Sequence, residues 1–150
     1  MSLELILQPV CDELDMPAAD ELAQWVRAAG ARLVGTVVVR VVDVAESKAL
    51  NQAYRGRDAP TNVLSFPFAA PAEFSEQHLG DLVICAEVVA REAAEQHKSL
   101  TAHWAHMIVH GILHLRGFVH ESEVEAARME RQEIAILSQL GFANPYYEVI

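Results

Sequence analysis

Two rhythms of apolar and polar positions alternate along the chain. Leu3-Glu4-Leu5-Ile6-Leu7 alternates partly and predicts a short strand stopped by Pro9. Over residues 17–31 the period lengthens. Leu22, Trp25, Val26 and Ala29 recur at helical spacing, with Gly30 near the end. Residues 36–44 are a β-branched run and predict a strand, with Arg40 on an exposed face or edge. Leu50 and Ala53 share one side of a short helix over 45–54. Residues 56–60 have the composition of a loop and 62–66 that of a strand. Residues 67–77 hold two prolines, two acids and no period, and predict an exposed loop. A fourth strand follows over 80–85. Helices are predicted over 86–97, 100–115 and 121–140. The middle one is apolar nearly all round, through Trp104, Ile108, Val109, Ile112 and Leu113, which predicts a helix buried in the core. In the last, Val124, Ala127, Ile134 and Leu137 are spaced to pack, and Gly141 is its stop.

The predicted order is β-α-β-α-β-β-α-α-α, and the short link between the third and fourth strands permits a hairpin. This gives an α+β fold: one domain over 1–150, a small mixed four-stranded sheet, and helices covering one face. At 150 residues the chain is long enough to bury about two-thirds of its unfolded surface. No stretch approaches the ~18 apolar residues of a membrane span, and the N-terminus lacks the basic and apolar regions of a signal peptide. Cys11 and Cys85 lack C-x-x-C spacing and predict buried thiols in a reducing, cytoplasmic setting.

Charge changes the picture only locally. The formal net charge is −10, which suits an RNA-binding protein badly. Residues 1–26 carry six acids and no Lys or Arg, and residues 117–150 carry six acids and two Arg. The middle, 27–116, balances at nine of each and contains Arg55, Arg57, Arg91, Lys98 and Arg116. That permits a local phosphate site and predicts weak non-specific affinity for nucleic acid.

The candidate chemistry lies at residues 110–120, HGILHLRGFVH, which space three histidines as H-x3-H-x5-H. His110 and His114 are four apart and share one helix face. His106 continues that spacing backwards, but His106 and His114 would stand ~12 Å apart along a straight helix, too far to share an ion. The third ligand must come from a chain that turns back. Gly117 can take the left-handed conformation that ends the helix, and His120 then returns to the metal. Three imidazoles leave a fourth position on one Zn²⁺ for water, the layout of a catalytic site. The zinc-protease pattern H-E-x-x-H-x-x-G-x-x-H shares these histidines and the glycine, but its general-base Glu is replaced by Gly111. The metal is kept and proteolysis is not expected.

Around this segment the chain resembles the YbeY family of metal-dependent bacterial endoribonucleases. The family pattern H-G-x-L-H-L-x-G-Y-D-H reads here as HGILHLRGFVH. Its Y-R-G-x-D-x-P-T-[ND]-V-L-S-F-P reads as residues 54–67, YRGRDAPTNVLSFP. Residues 79–85, LGDLVIC, look like its L-G-D-I-x-I strand. The resemblance runs from about Val41 to Tyr146. It departs at Val119, where the family usually has Asp, and at Phe118, where it has Tyr.

The resemblance implies a zinc-dependent, single-strand-specific endoribonuclease acting in ribosomal RNA maturation and ribosome quality control. It also implies RNA and ribosomal small-subunit proteins as partners. It singles out Arg55 as the catalytic arginine; by itself that residue reads equally as a surface arginine paired with Asp58. Arg57, Ser65 and His106 are candidate substrate contacts, and Asp81 is a candidate to hold a ligand histidine by its second ring nitrogen. His78, His97 and His103 are placed facing solvent. The competing class is a non-catalytic ribosome biogenesis factor in which the metal only stabilises the fold. A fourth protein ligand would favour that class, and a water-filled position the hydrolase.

Overall fold

A computed structural model describes residues 3–9, 16–67 and 78–146. Its elements are β1 (Leu3–Pro9), α1 (Ala19–Gly30), β2 (Gly35–Val42), α2 (Val44–Arg55), β3 (Val63–Pro67), β4 (His78–Cys85), α3 (Ala86–Glu95), α4 (Leu100–Leu115) and α5 (Glu123–Gln139). The order matches the sequence pattern. The boundary between β2 and α2 falls two residues earlier than expected because Asp43 caps the helix, its carboxylate accepting from the Glu46 N–H at 2.8 Å. α2 also runs one residue past its expected end, so Arg55 sits on the last helical turn, with Gly56 closing the helix in the left-handed region (φ 69°). The expected loop over 67–77 and Cys11 lie largely or wholly outside the described residues.

The strands form one mixed sheet in the order β1-β2-β4-β3. β1 pairs parallel with β2 and β2 with β4, while β3 runs antiparallel to β4 along an outer edge. Pro9 is accommodated in β1 because that strand is the other edge. Alternation sorts the strand residues onto two faces. Val37, Val39, Val41, Leu82 and Ile84 face the main core with Leu22, Trp25, Trp104, Ile108 and Ile112 of α1 and α4. Val42, Leu64, Val83 and Cys85 face the other way, against Val44 and Leu50 of α2. The helices thus do not all cover one face as expected: α2 lies against the second, where Val88 of α3 also packs, with Asp43 alone linking β2 to α2 and an Arg40–Glu46 ion pair (2.8 and 2.9 Å) clamping the helix.

α4 is the central helix. Ser99 caps its start, accepting from the Ala102 N–H at 3.1 Å, and its apolar surround is buried as its composition requires. It lies so close to β4 that a Cβ at Gly111 would stand 2.8 Å from the fully buried side chain of Leu82. A glutamate at that position, the one the zinc-protease pattern demands, would collide with the sheet. Packing as well as sequence therefore sets this position apart from the zinc-protease pattern.

Candidate metal centre

The three histidines are assembled by the way α4 ends. His110 and His114 stand on its last two turns. Gly117 then takes a positive φ of 98°, its N–H bonding back to the His114 carbonyl at 3.0 Å and that of Phe118 to the Leu113 carbonyl at 3.0 Å. The reversal swings His120 towards the helix. Its ring centroid lies 5.7 Å from that of His110 and 5.0 Å from that of His114. One ring nitrogen from each of His110, His114 and His120 falls within 4.8 Å of the others. Arg116, in the same turn, is anchored elsewhere: it donates to the Ala29 carbonyl at 2.9 Å and packs over Phe118.

The hydrogen bonds decide which nitrogens are free. The Phe118 carbonyl can only accept, so His114 Nδ1 carries the proton it donates at 2.9 Å. His110 Nδ1 donates to Glu133 Oε1 at 2.7 Å. In neutral rings both lone pairs then fall on Nε2, and these two atoms are 3.1 Å apart. Two acceptors facing each other at that distance repel unless a cation lies between them. Burial, then the neighbouring His110 and His120, push the His114 ring down to a pKa of about 4, so it is unprotonated at neutral pH. The donor set therefore fits a divalent metal ion bound through imidazole nitrogen.

The histidines form one wall of a cleft of about 480 Å³ whose other wall is Arg55, Arg57, Asn62, Val63 and Ser65. The arginine side is rigid. The buried Ser47 hydroxyl donates to the Thr61 carbonyl (3.0 Å) and accepts from the Thr61 N–H (2.9 Å), while buried Asn51 holds the Ala59 carbonyl at 2.8 Å. Asp58 pairs with Lys48 at 3.7 Å, so the expected alternative of an Arg55–Asp58 pair is not what fixes this segment. Ser65 faces the helix and donates to the Gly111 carbonyl at 3.2 Å.

Residues 12–141 match the family described as Endoribonuclease YbeY. The chain belongs to that family. A curated relative, Endoribonuclease YbeY of Methylococcus capsulatus, is 55% identical over 134 residues, covering 89% of each chain. The solution structure of TM1509 from Thermotoga maritima is similar in fold, with a TM-score of 0.53 at 24% identity, covering 91% of this chain and 92% of that one. Membership of the YbeY family makes the chain a hydrolytic, RNA-cleaving enzyme.

Two expected contacts lie elsewhere in this YbeY chain. Asp81 does hold a histidine, but it is His78, at 2.9 Å, and not one of the clustered three. The carboxylate behind the cluster is Glu133 of α5, which no reading of the sequence singled out. His106 does not line the cleft. It is buried behind His110 and gives Nε2–H to Glu133 Oε2 at 2.7 Å. His103, expected in solvent, is 2% exposed and bonded to Glu92 at 3.0 Å. Glu92 in turn receives the amide of Asn62, at 3.0 and 3.3 Å, and so orients a residue of the cleft wall.

Glu133 is fully buried. Burial alone would push its carboxyl up, but hydrogen bonds from His106, His110 and the Tyr146 hydroxyl outweigh that and hold it down, to about 2. The ionised carboxylate keeps His110 in one tautomer and one orientation. Glu133→Gln keeps the shape and removes the charge. It is expected to weaken metal binding by roughly 10–100-fold, measured by competition with a chromophoric chelator. Unchanged affinity would show that Glu133 serves only the fold.

Proposed function

We propose that the chain is one metallo-hydrolase domain that holds a single zinc ion on His110, His114 and His120. It cleaves single-stranded RNA in ribosomal RNA maturation and ribosome quality control, in the cytoplasm. The observation that carries this reading is that Arg55 and the three imidazoles line the same cleft. A metal serving the fold alone would be closed by a fourth protein ligand; among the described residues the converging group has three members. No helix of the structure is long and apolar enough to cross a membrane.

The roles follow from charge and geometry. When bound, the ion supplies Lewis acidity to the water or ribose hydroxyl that attacks, or to the phosphate attacked. Arg55 presents a planar guanidinium to the scissile phosphate and stabilises the charge that develops on it. Arg57 contacts a neighbouring phosphate. Ser65 keeps α4 and the edge strand β3 in register, holding the two walls of the cleft at fixed separation. The chain as a whole carries a net charge of −10, so the surface outside the cleft repels a polyanion. Binding is therefore confined to this cleft, and recognition of long duplexes along the backbone is disfavoured.

The test is metal analysis joined to cleavage. Purified protein should contain about one zinc per chain and cut a single-stranded oligoribonucleotide faster than the same sequence in a duplex, with activity lost to a chelator and restored by zinc. Peptide substrates, assayed on the same preparation, should survive. A zinc-loaded preparation that leaves single-stranded RNA intact would refute the proposal.

A further inference from the structure

The cleft explains how a phosphate is held, but phosphates are common to single strands and duplexes. A preference for single strands needs a group that reads what a duplex hides, the faces of the bases. Two aromatic side chains are exposed among the described residues, Tyr54 (68%) and Tyr146 (43%). The Tyr146 hydroxyl is committed to Glu133. Tyr54 stands on the last turn of α2, one residue before Arg55, and its ring meets that of Phe66 edge to face, with centroids 4.8 Å apart and planes at 67°. Phe66 follows Ser65 on β3. Phe66 points to the α2 face of the sheet, away from Ser65, which faces α4, so the pair stands just across the edge strand β3 from the cleft wall, one residue from Arg55. Phe66 is partly buried in the α2-side core and fixes Tyr54 from below. An aromatic left mostly in solvent gains little for the fold beyond its edge contact with Phe66, whereas an exposed ring one residue from the cleft's Arg55 matches the two requirements of single-strand binding, cationic groups for the backbone and a π-face for a base.

We propose that Tyr54, braced by Phe66, is a stacking platform for one unpaired base of the RNA adjoining the phosphate held by Arg55. The inference rests on the function proposed above and adds to it a base subsite. It makes single-strand preference a consequence of stacking: a base locked between its duplex neighbours cannot offer its face to Tyr54.

The experiment uses the zinc-loaded enzyme, a short single-stranded RNA that it cleaves, and a set of the same RNA with one abasic residue at each position around the cut. Tyr54→Ala is expected to lower kcat/KM on the intact RNA by roughly 5- to 100-fold, the range of one base–aromatic stack. Tyr54→Phe, which keeps the ring, should stay near wild type. The thermal midpoint and zinc content of both variants should match wild type. On one abasic RNA, the one lacking the stacked base, wild type should fall to the level of Tyr54→Ala and the two should become equal. Undiminished kcat/KM in Tyr54→Ala, or a deficit of the same size on every abasic RNA, would overturn the platform while leaving the ribonuclease reading intact. A wild type that cleaves no RNA would overturn both.

Discussion

Alanine at His110, His114 or His120 is expected to take bound zinc from about one per chain towards none and to abolish RNA cleavage with it. Each imidazole is one of three donors that converge, and two nitrogens hold a divalent ion far more weakly than three. His106→Ala should behave differently from both a ligand variant and a silent control. His106 is 7% exposed and gives Glu133 one of its three hydrogen bonds. Its loss leaves a cavity and an under-satisfied carboxylate but leaves the His110 bond to Glu133 in place. Its cost should therefore appear in the thermal midpoint, with metal bound and activity retained. Elemental analysis of the purified variants, read beside their melting curves, separates these outcomes. Full zinc occupancy in His120→Ala would dismantle the three-histidine assignment.

Arg55→Ala should depress RNA cleavage by roughly 10–1000-fold, the order found when one electrostatic stabiliser of a transition state is removed. Its folding cost should be small, because Arg55 is exposed at the end of α2 and Gly56 closes that helix through backbone bonds. Zinc content and thermal midpoint should match wild type. Lysine should rescue poorly, since it keeps the charge but loses the planar fork. Arg57→Ala lines the same cleft and should matter less. Cleavage by Arg55→Ala at the wild-type rate would remove this residue from the mechanism. Loss of zinc or of folding in that variant would assign it a structural role instead.

The two groups of residues differ in where their geometry comes from. The three clustered histidines are local. H-x3-H puts two imidazoles on one helix face, and a glycine three residues on supplies the reversal, so the spacing contains the geometry before any tertiary contact forms. The apolar surround of α4 likewise announces its burial, and the β-branched runs announce the strands. Gly111 is more instructive. Its identity could be read against the protease pattern, but the reason no larger residue fits, the approach of Leu82, belongs to the packing of α4 on β4.

The error on α5 shows where local pattern stops. The hydrophobic pattern marks Val124, Ala127, Ile134 and Leu137 as the inward stripe; Leu137 is buried, yet Val124 is 69% exposed and the rest of the buried face is Met129, Glu133 and Ile136. That stripe has helical spacing too, and a carboxylate in the middle of it was the available signal. A pattern of apolar residues rejects such a stripe, because an unpaired charge is too costly to bury. His106, His110 and Tyr146 remove that cost, and they come from α4 and from the segment after α5. The same holds for His103 with Glu92 and for Arg55 beside the histidines. The sequence by itself determined the elements and the three-nitrogen cluster, because both depend on neighbours a few positions apart. Only the tertiary structure decided which polar groups are buried and which cation faces the metal centre, because a charge is stable inside a protein only where other elements bring its partners.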